Sequence, residues 1–166
     1  MLRSDLGGGE DYWIHGTDTQ LDFWNGTAPD FSHTCWQKND CPHEFYSTNV
    51  FAERAVAVIQ DVAKQPKPFF LYLAWQAVHS GGHLQLQAPQ DYIDSFNDTA
   101  PAVLNNKRRE LAGMVRSMDE GVGNVTAALR DMGMLDDTLI IFSTDVRAIV
   151  SRLRPSAPAA THIDID

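Results

Sequence analysis

Apolar positions along the chain fall into four blocks, two with the period of a helix and two without a break. From Ser47-Thr48-Asn49, any of which can cap a helix, Phe51, Ala55, Val58, Ile59 and Val62 recur at helical spacing until Pro66 and Pro68 stop the pattern. Phe69-Phe70-Leu71-Tyr72-Leu73-Ala74-Trp75 follows as a continuous apolar run, the signature of a strand covered on both faces. A second helical stripe runs through Leu111, Met114, Val115, Met118, Val122, Val125, Leu129 and Met132, with Asn105 or Asn106 placed to start it and Gly133 to end it. Gly121 and Gly123 weaken that helix, which points to a small-residue contact or a bend near them. After a link from Met134 to Thr138, Leu139-Ile140-Ile141-Phe142 is a second unbroken run, ending at Ser143-Thr144-Asp145.

The order helix, strand, helix, strand with doubly covered strands predicts an α/β layer: a partial, mainly parallel sheet with flanking helices. Residues 1–46, rich in Gly, Asp, Asn, His and aromatics, have no sustained period and read as an irregular, loop-rich segment. Residues 47–145 hold the α/β pattern. From Val146 the composition shifts to Arg, Ala and Pro, so residues 146–166 read as an unrelated, disordered tail.

A chain of 166 residues with 43% hydrophobic residues fits one domain with a buried core. Its net charge of −9 repels polyanions and argues against nucleic acid or an anionic membrane surface as partner. An anionic substrate would then need a local cation or a metal. No apolar run reaches the length of a membrane span. The residues from Met1 to Gly9 do not have the pattern of a signal peptide, so export is expected to depend on residues outside this N-terminus. The sequons at Asn25, Asn97 and Asn124 are glycan acceptors if the chain enters the secretory pathway. Cys35 and Cys41 can close a small disulfide loop or remain free thiols; their spacing is a weak match to zinc.

In an open parallel sheet, ligands gather beyond the carboxyl ends of the strands. Asp145 leaves the second strand there, and His79 lies in the loop leaving the first. A carboxylate at that edge is a hard oxygen ligand suited to calcium or magnesium, although on position alone Asp145 is also a turn or capping residue. His79 can donate a hydrogen bond to a sulfate or phosphate oxygen or protonate a leaving group, and His83 is a rival for that role. His15, His33 and His43 lie among scattered aspartates with no ligand spacing and read as solvated loop residues. Trp13, Trp24 and Trp36 read as packing under loops. Lys107-Arg108-Arg109 opposes the dipole at the start of the long helix, where an anion would favour it, with a solvated basic cluster as the plain alternative.

These residues carry a family signature. Phe69 through His79, then Leu84-Gln85, Pro89 and Asp91-Tyr92-Ile93, resemble the stretch of arylsulfatase B in which a strand delivers an active-site histidine. Ala112-Gly113-Met114-Val115, Met118-Asp119-Glu120, Val122 through Thr126 and Ile140 through Asp145 are similar to the long helix and metal-bearing strand of the same enzymes. Asp11-Tyr12-Trp13 and Tyr46-Ser47-Thr48 extend the likeness upstream, so that it covers roughly Gly8 to Asp145 and points to the arylsulfatase B, I and J group of the sulfatases.

The resemblance implies an incomplete alkaline phosphatase-like sulfatase fold, lysosomal or secreted, acting on sulfate esters or sulfated glycans with calcium and a formylglycine nucleophile. It implies that His79 contacts sulfate and Asp145 ligates calcium. The departures narrow this. Neither Cys35-Trp36-Gln37-Lys38-Asn39 nor Cys41-Pro42-His43-Glu44-Phe45 is the Cys-x-Pro-x-Arg motif that yields formylglycine. The paired aspartates of the calcium site and the family's upstream lysine-histidine element have no counterpart here. Val146-Arg147-Ala148 stands where the family has Asn-Gly-Gly, and Ser80-Gly81-Gly82-His83 replaces a short proline-containing link, which keeps His83 beside His79 as a candidate. The sequence therefore predicts part of a sulfuric ester hydrolase, inactive by itself for want of the nucleophile and with weak or absent calcium binding. A non-enzymatic secreted glycoprotein that binds a sulfated glycan or a protein is the alternative, and a phosphoesterase of the same superfamily a remoter one.

Overall fold

The computed structural model describes residues 2–4, 12–13, 16–17, 20–21, 23–33, 35, 41–65, 67–80, 85–97 and 105–143. Three helices organise them: α1 Ser47–Val62, α2 Gln90–Asp94 and α3 Asn106–Asp131. The short strands β1 Leu2–Ser4, β2 Gly16–Thr17, β3 Gln20–Leu21, β4 Phe23–Asn25 and β5 Ala28–Pro29 precede them. Single 3-10 turns form at His43–Phe45 and Leu135–Asp137.

Both long helices stand where the apolar period places them. The Asn105 side chain accepts from the Arg108 backbone N–H at 3.0 Å, capping α3, and Gly133 takes φ +68° just beyond its end. At the start of α1 the sequence expectation of a Ser47, Thr48 or Asn49 cap is corrected. Tyr46 is the N-cap residue, with no side-chain cap bond, and the buried hydroxyls of Ser47 and Thr48 have no hydrogen-bond partner among the described residues. Tertiary packing fixes this helix start: Tyr46 is fully buried, stacks on Tyr12 with ring centroids 4.9 Å apart, and donates its hydroxyl to the Gln87 carbonyl at 2.8 Å. Asn49, freed from capping, accepts from Ser117 Oγ at 2.8 Å and ties α1 to α3.

The seam between α1 and α3 uses small residues. Ala52, Ala55 and Ile59 of α1 and Gly121, Ala128 and Leu129 of α3 are buried. A Cβ placed on Gly121 would lie 3.1 Å from both Ala52 Cβ and Trp75 Cζ2, so glycine is what lets the helix approach so closely. The contact predicted near the two glycines thus belongs to Gly121, whereas Gly123 is exposed with nothing within 4 Å. Val115 and Met132 of the predicted stripe remain exposed, and Gly113 and Ser117 are buried in their place.

The two unbroken apolar runs depart furthest from expectation. Among the described residues neither 69–75 nor 139–142 is paired in a sheet, and the pairing that exists is short and antiparallel, in the orders β1-β4-β5 and β2-β3. Nor are both faces of 69–75 covered. Phe69 and Leu71 pack on the α1/α3 seam and Leu73 and Trp75 on Phe23, Val50 and Phe51, whereas Phe70 and Tyr72 are 90% and 74% exposed. Leu139, Ile140, Ile141 and Phe142 are exposed along their whole length. The cause is physical: helices cover one side of the first run, and no described strand lies beside either run to complete a ladder.

Candidate functional site

The first apolar run ends in a turn that exposes an imidazole. Residues 77–79 turn back on Gln76, whose carbonyl accepts from the His79 backbone N–H at 2.8 Å; the Ala77–Val78 peptide is cis. His79 is exposed, and its Nδ1 lies 2.6 Å from the Ser80 carbonyl oxygen. A carbonyl only accepts, so Nδ1 carries the proton and Nε2 is the nitrogen left for a ligand. In the charged ring Nε2 donates to an anionic oxygen; in the neutral ring it accepts.

A buried polar cluster anchors this turn. Tyr12 is 1% exposed, and its hydroxyl lies 2.8 Å from the carbonyl oxygens of both Gln76 and His79, the single phenolic proton being shared between them. Burial pushes the Tyr12 phenol well above its ordinary value, against the opposing hydrogen bond to His79, so it remains a donor at neutral pH. The Tyr12 backbone N–H donates to Gln87 Oε1 at 2.9 Å, and Ser47 N–H donates to the Tyr12 carbonyl at 2.9 Å. Trp13, beside it, is buried against Tyr46 and accepts from Cys35 N–H at 3.1 Å. Cys35 and Cys41 are joined in a disulfide with Cα atoms 5.7 Å apart, and both belong to the same apolar cluster as Ala77 and Val78. Of the readings open for these cysteines, the disulfide is the one the structure shows.

Of the other residues singled out in the sequence, Asp145 and His83 lie outside the described residues, as do His15 and Trp36. His33 forms an ion pair with Asp30, Nδ1 to Oδ2 at 2.8 Å. Burial pulls the Asp30 carboxyl upward, but hydrogen bonds from Ser32 and His33 and the charge of His33 outweigh it and hold the group below its ordinary value. Arg109 of the basic cluster donates to Asn97 Oδ1 at 2.7 Å and also to Asn106. Trp13 packs in the core, as expected, and Trp24 is half-buried.

A cavity of about 220 Å³ opens between α1, α2 and α3, bordered by His43, Glu44, Glu53, Tyr92, Glu120 and Asn124. It does not include His79. Burial, followed by the hydrogen bond to Glu120 and the charges of Glu120 and Asp91, raises the Tyr92 phenol, with Arg116 opposing. No group of three or more His, Cys, Asp or Glu among the described residues is arranged to hold a metal ion. With Asp145 outside them as well, the described residues do not provide a calcium cage.

The family model for sulfatases matches residues 6–153. The chain belongs to the sulfatase family. It is 36% identical over 106 residues to mouse arylsulfatase J, an alignment covering 64% of this chain and 16% of that protein. Human N-sulphoglucosamine sulphohydrolase is also 36% identical over 106 residues, covering 48% of this chain and 21% of the relative. The crystal structure of Ps i-CgsB in complex with k-i-k-neocarrahexaose superposes with a TM-score of 0.57 at 24% identity, over 77% of this chain and 28% of that one, which shows a shared fold. This sulfatase chain thus spans only a minor part of the length of the relatives it matches.

Tyr12, Tyr46 and Gln87 acquired no site role from sequence alone. Their signal was faint: Asp11-Tyr12-Trp13 and Tyr46-Ser47-Thr48 stood out only as upstream extensions of the family likeness. The short helix α2 was missed too, although Pro89 followed by an acidic first turn marks its start.

Proposed function

We propose that this chain forms the histidine-bearing wall of a sulfuric ester hydrolase of the arylsulfatase type, and that it does not turn substrate over by itself. The observation that carries this reading is the anchored turn at the end of 69–75, which leaves His79 exposed with its Nδ1 held by the Ser80 carbonyl, in a chain of the sulfatase family. There an imidazolium offsets negative charge on a sulfate oxygen, a role suited to a transferring group whose charge must be neutralised in a dry site. By the family likeness Asp145 would be one carboxylate ligand to calcium, which would further neutralise the sulfate; one carboxylate does not make a site, so weak or absent calcium binding is expected of this chain. In this reading 69–75 and 139–142 are neighbouring strands of a mainly parallel sheet with 47–145 as its α/β unit, and 146–166 is an appended tail. The exposure of Phe70, Tyr72 and Ile141 supports such an arrangement, since each is apolar and lacks cover.

The absence of turnover rests on the cysteines. Neither stands in a Cys-x-Pro-x-Arg motif, and their disulfide leaves no thiol for conversion to formylglycine. The substrate class is a sulfate ester, in particular a sulfated glycan, met in a lysosomal or secreted setting. Among the described residues no helix is long and apolar enough to cross a membrane. The bonded cysteines equally favour a second reading, a non-enzymatic secreted glycoprotein that binds a sulfated glycan or a protein. Incubation of the purified chain with 4-methylumbelliferyl sulfate and calcium tests the first reading: no fluorophore is released above buffer. Fluorophore release by the parent chain overturns the claim that it is inactive by itself, and release that persists in the Cys35→Ala, Cys41→Ala double variant shows that neither cysteine supplies the nucleophile. Cleavage of the corresponding phosphate ester, but not the sulfate, assigns it to phosphoester chemistry instead.

A further inference from the structure

We propose that Tyr12 is a positioning residue for His79, and that with Tyr46 it forms a clamp holding the Gln76–His79 turn to Gln87. The inference rests on the proposed role of His79 but concerns a different group, one that touches no substrate.

Gln76 and His79 belong to the turn that presents the imidazole and Gln87 lies just ahead of α2, and one buried residue grips both places. The Tyr12 hydroxyl bonds the backbone of Gln76 and His79, 64 and 67 positions away, and the Tyr12 N–H bonds the side chain of Gln87, 75 positions away. Tyr46 takes the second leg, through its hydroxyl on the Gln87 carbonyl. The two rings stack with an interplanar angle of 17°, so each phenol packs against the face of the other. Helix α1 begins immediately after Tyr46, and Ser47 N–H bonds the Tyr12 carbonyl, which references the clamp to the most regular part of the fold.

The two carbonyls on the loop side differ in what they lose. Gln76 oxygen also accepts from the His79 N–H, so it keeps a partner without Tyr12. For the His79 oxygen, the phenol is the donor that fixes it. Removing that one hydroxyl therefore acts on the residue that presents the imidazole, while the Tyr12 ring still fills its place in the core.

The test uses the full 166-residue chain and its Tyr12→Phe variant, with Leu129→Ala as a reference that is destabilised in the α1/α3 seam and touches no clamp group. Three quantities are read by NMR: the position of the His79 ring Cε1–H signal, hydrogen exchange of the His79 amide, and the displacement of the ring signal by inorganic sulfate. The expected result is a shifted or broadened His79 signal in Tyr12→Phe and an amide that exchanges at least tenfold faster than in Leu129→Ala. Several-fold more sulfate should be needed to move the signal. A Tyr12→Phe signal that superimposes on the parent, or an equal response in Leu129→Ala, overturns the proposal. If Tyr12→Phe does not fold, Tyr46→Phe, which removes only the bond to the Gln87 carbonyl, must move the His79 signal without altering exchange in α3; no movement overturns the proposal. If sulfate moves the ring in no variant, the sulfate reading of His79 falls, and the clamp is still judged on ring position and exchange.

Discussion

Two glycines two positions apart in α3 should respond to substitution with opposite signs. Gly123 is exposed, its backbone is helical, and a Cβ there meets nothing within 4 Å. Gly123→Ala therefore keeps every contact and removes the conformational freedom that glycine has in the unfolded chain, a gain of about 0.8–1.0 kcal/mol. Gly121 gains the same backbone term but has no room: its Cβ would sit 3.1 Å from Ala52 Cβ and from Trp75 Cζ2. Valine adds two methyl groups beyond that point, in a seam where one neighbour is fixed to the α1 backbone and the other is a large ring. Overpacking of this kind costs about 1–3 kcal/mol, and valine's lower helix propensity takes back most of the glycine gain. Urea unfolding followed by far-UV circular dichroism checks both. Gly123→Ala should raise the midpoint and Gly121→Val lower it, with unchanged slopes. If Gly121→Val were as stable as the parent, α1 and α3 would not meet in the close contact described, and the packing that supports 69–75 would need another explanation.

Further outcomes follow from the same structure. Tyr12 and Tyr92 have raised phenol values in the fold, so their contribution is complete below the ordinary tyrosine value, about 10, and is lost as pH rises through the folded values; unfolding monitored by tyrosine ionisation should begin only above that point. Asp30 has the opposite sign: its lowered carboxyl stabilises above about pH 4 and loses that contribution as pH falls through the folded value, an acid loss that Asp30→Asn should flatten in denaturation curves. Replacing Cys35 and Cys41 by serine opens a loop with a sequence separation of 6 and should cost about 2 kcal/mol by the chain-entropy estimate, read as a lower urea midpoint than the oxidised parent. Phe70→Lys and Ile141→Lys, on exposed apolar runs, should reduce self-association in sedimentation velocity without lowering helix content; unchanged association would show that these runs are not the sticky surface.

The two long helices were legible because their signals are local. A cap at Asn105, a glycine at 133 and prolines at 66 and 68 act within a turn or two of the chain, and the apolar period between them needs no partner to be read. The runs at 69–75 and 139–142 show what a strand pattern leaves open. Apolar residues on both faces say that cover is needed, but not that the described residues supply it. The start of α1 and the clamp on His79 failed for a shared reason. Tyr46 and Tyr12 act through contacts many tens of residues apart, where a tyrosine in an aromatic-rich segment gives no hint of which backbone oxygen it will meet. The histidine itself was visible, since the apolar run in front of it fixes where the chain turns. The short antiparallel pairs between residues 2 and 29 were not, because strands of two or three residues leave no period to detect.

The central claim is that His79 presents its Nε2 to a sulfate-sized anion from an anchored turn. The most direct measurement is a sulfate titration of the full chain at constant ionic strength, following the ring signals of its histidines, with chloride as the reference anion. The account predicts that sulfate displaces the His79 signal along a saturable curve while His43 and His33 stay in place, and that His79→Ala removes the response. Equal movement of all histidines with sulfate and chloride, or a response that survives His79→Ala, would contradict it.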